Sequence, residues 1–232
     1  MSVDEIIAGN LRRIHDRIAD ACERGGRNPA DVTLVSVTKY AQIEWVRALV
    51  RQGETELGES RPQQLTARAP ELNQPVHWHL IGSLQRNKVR LLLPVISLIH
   101  SVDSLRLLES INRIAGELGL RPRILLEVNF SGEEAKHGFE PKELSACWEQ
   151  VQSYPHVQLE GLMTMAAYAA DPELARPAFA GLRRLRDELR SRTSDAAALS
   201  HLSMGMSGDF EVAIEEGATL VRIGSALWEG LS

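Results

Sequence analysis

Val32-Thr-Leu-Val-Ser-Val-Thr-Lys39 decides the fold. Its β-branched residues favour an extended backbone, and an apolar run of this length without helical spacing reads as a buried strand. Before it, the segment from Val3 to Glu23 places Ile7, Leu11, Ile14, Ile18 and Ala21 three or four residues apart, which predicts an amphipathic helix ended by Gly25-Gly26. After it the chain alternates. Short apolar strands are expected near 32–38, 55–58, 76–81, 96–100, 123–129, 157–163, 200–204 and 218–223. Helical patterns fall near 42–52, 60–69, 84–92, 104–118, 141–152, 172–190 and 209–216, and prolines 29, 75, 122, 141 and 155 lie mostly at the seams.

Strands that alternate with helices build a parallel sheet, and eight is the number that closes a (β/α)8 barrel. The expected architecture is therefore α/β: one barrel domain over residues 1–232 with an extra N-terminal helix. The rival is an open doubly wound sheet. Against it, no Gly-x-Gly-x-x-Gly follows the first strand, and the candidate polar residues stand at the carboxyl ends of several different strands.

The 232 residues are 44% hydrophobic and 25% charged, with a formal charge of −5, which suits a globular protein and disfavours a nucleic-acid partner. Cys22 and Cys147 sit in helical patterns and read as reduced thiols. No basic-plus-apolar leader opens the sequence, and no apolar run approaches the ~20 residues that cross a bilayer. A cytoplasmic protein is expected.

Three stretches carry chemistry. Lys39 ends the first strand on the same face as Val37, Val35 and Thr33. An ammonium at the mouth of an apolar strand loses hydration, which favours the neutral, nucleophilic amine. Such a lysine can condense with an aldehyde; the bland alternative is a surface lysine. The second stretch is His201-Leu-Ser-Met-Gly-Met-Ser-Gly-Asp-Phe210. Strand seven is expected to end near Met204, Gly205 and Gly208 let the main chain approach a ligand, and Ser207 adds a hydroxyl beside a helix start. Here the alternative is a helix cap at Ser207 or Asp209 with no ligand. The third is Leu220-Val-Arg-Ile-Gly-Ser-Ala-Leu-Trp228, where Gly224 and Ser225 open a turn after strand eight. In barrels the loops after strands seven and eight often hold a phosphate. A lysine for an aldehyde and two small-residue turns for a phosphate together imply a site for pyridoxal 5'-phosphate (PLP). Arg222 would face inward, paired with a carboxylate such as Glu127 or Glu160, or with the ring nitrogen of the cofactor.

Two further segments contribute. In Val76-His-Trp-His-Leu-Ile-Gly-Ser-Leu-Gln-Arg-Asn-Lys88, His77 and His79 share a strand face; without a completing ligand set, His79 reads better as a wall or hydrogen-bond partner of a bound ring than as a metal ligand. After strand five, Lys136 reads either as a surface residue or as a mobile second lysine that exchanges the aldehyde with Lys39.

In this order, Val35-Ser-Val-Thr-Lys39, Gly58-Glu59, His77-Trp-His-Leu-Ile-Gly82 with Leu84-Gln85 and Asn87-Lys88, Gly161-Leu-Met163, Leu202-Ser-Met-Gly-Met-Ser207 and Val221-Arg-Ile-Gly224 resemble the pyridoxal phosphate homeostasis protein family. The resemblance implies a barrel similar to the N-terminal domain of alanine racemases, with PLP held as a Schiff base on Lys39. It places Ser207, Gly224 and Ser225 at the phosphate and Arg222 at the pyridine nitrogen; His79 and Met204 complete the expected cofactor set. It further implies a carrier or buffer of PLP with no established reaction; PLP-dependent apoenzymes as partners and a monomeric state are the accompanying expectations. The sequence departs from the family pattern at Ser60, where an asparagine is usual, and at Ser83, Ser225 and Trp228. Competing functions are a slow racemase or decarboxylase of the same fold, a Schiff-base aldolase, and a non-covalent sensor of phosphorylated metabolites. No β-rich second domain follows the last barrel element, which favours the carrier.

Overall fold

The structure, a computed structural model, describes residues 1–130, 137–167, 169–193 and 199–231. Strand β1 (Thr33–Val37) pairs in parallel with β2 (Glu56–Glu59), and the ladder continues through β3 (His77–Leu80), β4 (Leu98–Val102), β5 (Arg123–Glu127), β6 (Gln158–Met163), β7 (His201–Met206) and β8 (Leu220–Ile223). β8 then pairs with β1, Val35 opposite Arg222, and closes the barrel. That closure excludes the open sheet, because an open sheet would leave β1 and β8 unpaired with each other.

Side chains alternate along each strand and sort into two layers. Val35, Leu98, Leu125, Met163 and Leu220 form an apolar plug inside the barrel. The larger cluster, including Leu34, Leu57, Leu80, Ile99, Ile124, Leu162, Leu202 and Val221, packs outward against the helices. These helices are α2 (Ile43–Arg51), α3 (Pro62–Arg68), α4 (Val89–Leu92), α5 (Leu105–Leu118), α6 (Pro141–Ala146), α7 (Trp148–Gln152), α8 (Arg176–Ser191) and α9 (Phe210–Glu215). The expected helix over 141–152 is two, broken at Cys147, and the one over 84–92 is a 3-10 turn at 86–88 followed by the short α4, which Pro94 prevents from continuing.

The N-terminal helix α1 (Val3–Arg24) starts on a capping box, in which the Ser2 hydroxyl accepts from the Glu5 N–H and the Glu5 carboxylate accepts from the Ser2 N–H. It buries the predicted stripe Ile7, Leu11, Ile14, Ile18 and Ala21. Among the described residues a turn follows β8, and α1 packs beside it. Its Asn10 amide donates to the carbonyls of Leu227 and Glu229, while Arg17 and Arg24 pair with Glu211 and Glu215 on α9.

Candidate functional site

The three stretches singled out in the sequence meet at the carboxyl ends of β1, β7 and β8. β1 stops at Val37, two residues short of Lys39, which lies half-buried in the turn that follows. The expectation that strand alternation aims Lys39 is therefore corrected: a turn closed by the Ala41 N–H on the Thr38 carbonyl sets its direction. Its Nζ stands 5.0 Å from the centroid of the exposed Tyr40 ring, within cation–π range.

A clamp not read from the sequence holds this turn. Arg68 donates to the carbonyls of Thr38 and Ala41, each at 2.6 Å, and Gln64 donates to the carbonyl of Lys39 at 3.0 Å. Arg68 is fixed in turn by Glu59, 2.5 Å away and wholly buried, which also accepts from the Thr38 hydroxyl and the Ser60 N–H. Burial pushes the Glu59 carboxyl up, although the Arg68 charge and these hydrogen bonds oppose it. Glu59 stands out in sequence only as part of a motif; Arg68 and Gln64 carry no signal, because the groups they hold on the turn are main-chain carbonyls 25–30 residues away.

Across the mouth, the Gly224 N–H donates to the Ser207 hydroxyl at 3.2 Å, which ties the two small-residue turns together. The Ser207 oxygen accepts there, so its own hydrogen is available to an anion. Asp209 stands at the N-cap of α9 but makes no side-chain cap bond there; its carboxylate accepts from the Met206 N–H at 2.6 Å instead. Gly205 has φ +90, and a Cβ there would lie 2.8 Å from the Phe210 Cα, so only glycine fits the bend. Ser225 is exposed at the start of the last turn, and the Trp228 indole N–H donates to the Val37 carbonyl at 2.9 Å, fastening that turn beside Lys39.

Met204 and His79 stand elsewhere. The Met204 side chain is fully buried in the helix-facing layer, so it is removed from the mouth. His79 lies inside the barrel with both ring nitrogens engaged, by Glu56 at 2.6 Å and His100 at 2.8 Å, which spends the hydrogen-bonding capacity expected for a bound ring. Lys136 falls outside the described residues.

Arg222 is buried and charged. Its guanidinium donates to the Ser203 hydroxyl at 2.6 Å and to the Thr164 carbonyl at 3.0 Å. Burial pulls it down to about 10, against the attraction of Glu127 and Asp209, so it keeps its proton at neutral pH. Among the described residues it makes no ion pair with Glu127 or Glu160; Glu160 pairs instead with Arg123. Glu127, at the carboxyl end of β5, is raised to about 7 by burial and by the neighbouring Asp103 charge. Among the described residues no group of three His, Cys, Asp or Glu could hold a metal, and no helix is long and apolar enough to cross a membrane.

The arrangement offers the Lys39 amine after β1, the Ser207 and Ser225 hydroxyls after β7 and β8, and the buried Arg222 guanidinium on β8. That donor set suits a planar aldehyde bearing a phosphate.

Comparison with known proteins agrees with the geometry. Residues 11–231 match the family model for the alanine racemase N-terminal domain. A pyridoxal phosphate homeostasis protein of Aquifex aeolicus is 43% identical over 219 residues, covering 94% of this chain and 95% of the relative. The chain belongs to the pyridoxal phosphate homeostasis protein family. Among solved structures, PipY of Synechococcus elongatus with PLP bound superposes with a TM-score of 0.83 at 34% identity, over 97% of this chain and 99% of that one. Alanine racemase of Clostridium difficile, at 17% identity, has a TM-score of 0.74 over 97% of this chain and 56% of its own, and shares the fold.

Proposed function

We propose that this chain, as a single barrel domain, binds PLP covalently through Lys39 and serves in PLP homeostasis as a carrier or buffer rather than as a catalyst. The observation that carries the reading is the bond between Ser207 and Gly224, which joins two small-residue turns into one cradle on the same mouth as the half-buried Lys39. Lys39 would supply the amine that holds the cofactor's aldehyde, with water as the leaving group. Ser207, Ser225 and the main chain at Gly224 receive the phosphate. Arg222, which holds its proton, would face the ring nitrogen as a donor and so disfavour its protonation, which would weaken the ring as an electron sink. Such a site stores a reactive aldehyde without driving chemistry at a bound amino acid. PLP-dependent apoenzymes are its recipients, and it acts in the cytoplasm as a monomer. The PLP bound to PipY and the names of the homologues support this reading.

Borohydride reduction of the PLP-loaded protein followed by peptide mass mapping tests it. The phosphopyridoxyl mass is expected on the peptide containing Lys39 and is lost in Lys39→Ala. Label on another lysine alone, or affinity unchanged in Lys39→Ala, refutes the covalent assignment. Exchange of amino-acid α-protons in deuterated buffer that depends on Lys39 would replace the carrier with a racemase-like catalyst.

A further inference from the structure

Five polar side chains form one unbroken line through the barrel. At the amino-terminal mouth, Glu56 accepts from His77 at 2.5 Å and from His79 at 2.6 Å. His79 meets His100 at 2.8 Å, His100 meets the Ser203 hydroxyl at 2.8 Å, and Ser203 accepts from Arg222 at 2.6 Å. His100 stands on β4 and Ser203 on β7; these strands are not neighbours, so the bond between them crosses the interior. His79, His100, Ser203 and Arg222 are each at most 3% exposed. Polar groups at such positions cost stability unless every one is satisfied, so an apolar filling like the adjacent plug would hold the barrel at least as well.

The donors and acceptors have a direction. Arg222 only donates, and a carboxylate only accepts. Ser203 receives the Arg222 proton, and among the described residues its hydroxyl has no further partner than His100, so the hydroxyl donates to His100 Nδ1. Burial holds His100 well below the usual histidine range, and it is neutral. Its one hydrogen then sits on Nε2 and goes to His79 Nδ1, and the His79 Nε2–H goes to Glu56. The charged and titratable groups around the line are His77 at its lower end, Arg123, Glu160 and His201 beside the histidines, and Glu127 and Asp209 beside Arg222.

We propose that Glu56, His79, His100 and Ser203 are positioning residues, a single hydrogen-bonded relay that orients Arg222 and couples it to the opposite mouth of the barrel. Its effect on ligand binding rests on the placing of Arg222 at the PLP ring nitrogen; the relay itself does not.

The test uses full-length protein labelled with 15N-histidine. In the wild type, His79 and His100 should both show protonated Nε2 and bare Nδ1. Glu56→Gln replaces an obligate acceptor with a group that also donates, and touches His77 and His79 but not His100. The relay requires the His100 nitrogen resonances to move nonetheless, and PLP binding followed by absorbance to weaken about three- to tenfold, the loss expected when one orienting hydrogen bond is disturbed. In a Ser203→Ala background the same substitution should leave PLP affinity unchanged. Static His100 resonances in Glu56→Gln, or equal losses of affinity in both backgrounds, overturn the relay. His100 resonances that move while PLP affinity and spectrum stay fixed keep the line of bonds but refute the coupling to the ligand. A wild type that binds no PLP refutes the proposed function instead.

Discussion

Glu127 gives the sharpest quantitative prediction. Its carboxyl is 4% exposed and is raised from 4.5 to about 7, chiefly by burial and then by the Asp103 charge, with Arg222 pulling the other way. The difference, at about 1.4 kcal/mol per pH unit, amounts to about 3 kcal/mol. The raised value means that folding favours the protonated form. The stability from this group is therefore fully present below pH 4.5 and is lost as pH rises through about 7. Glu127→Gln freezes the residue in a neutral shape close to that protonated form. The variant should exceed the wild type by about 1 kcal/mol at pH 5 and by about 3 kcal/mol at pH 8.5, an upper bound because water and relaxation soften buried charges. Urea unfolding followed by circular dichroism on PLP-free protein at the two pH values measures this directly. A stability difference that does not change with pH would refute the reasoning, since the argument rests entirely on the ionisation of that carboxyl.

Other expectations concern the mouth. Ser207→Ala should weaken PLP binding by about 1–3 kcal/mol if its hydroxyl donates to the phosphate dianion, as fluorescence titration would reveal. Arg222→Glu should change the absorption spectrum of bound PLP, because a carboxyl favours a protonated ring nitrogen; an unchanged spectrum removes Arg222 from that nitrogen. Gly205→Ala forces a side chain onto a backbone at φ +90 against Phe210 and Ala213, and should lower the unfolding free energy by about 1–3 kcal/mol. Trp228→Phe removes the donor to the Val37 carbonyl, costing about 1 kcal/mol in thermal or urea unfolding.

Legibility from sequence followed the range of the interactions involved. The strand at 33–37 and the stripe on α1 are local patterns, and both stand where their residues predict; the turn expected from Gly205 begins only at Ser207, because β7 runs on to Met206. Lys39 lay just past the point where strand alternation applies, so its direction depended on Arg68 and Glu59 rather than on its own neighbours. The Met204 side chain faces the helices because it alternates with Ser203, whose hydroxyl points into the barrel. The spacing of His77 and His79 was visible, but the partner of His79 at His100 lies on another strand, and His100 in turn meets Ser203, 103 residues further along. No pattern within a single window announces such bonds.

The helix at residues 3–24 leans on residues 211, 215, 227 and 229. During synthesis it leaves the ribosome some 190–220 residues ahead of these partners, before its seat exists. Until then its stripe of isoleucines and leucine lacks its final partner and is open to self-association or to a chaperone. A rearranged gene that starts the protein at the loop before residue 43 and joins the old ends would bring helix and seat together in time, and should refold faster and aggregate less than the natural order.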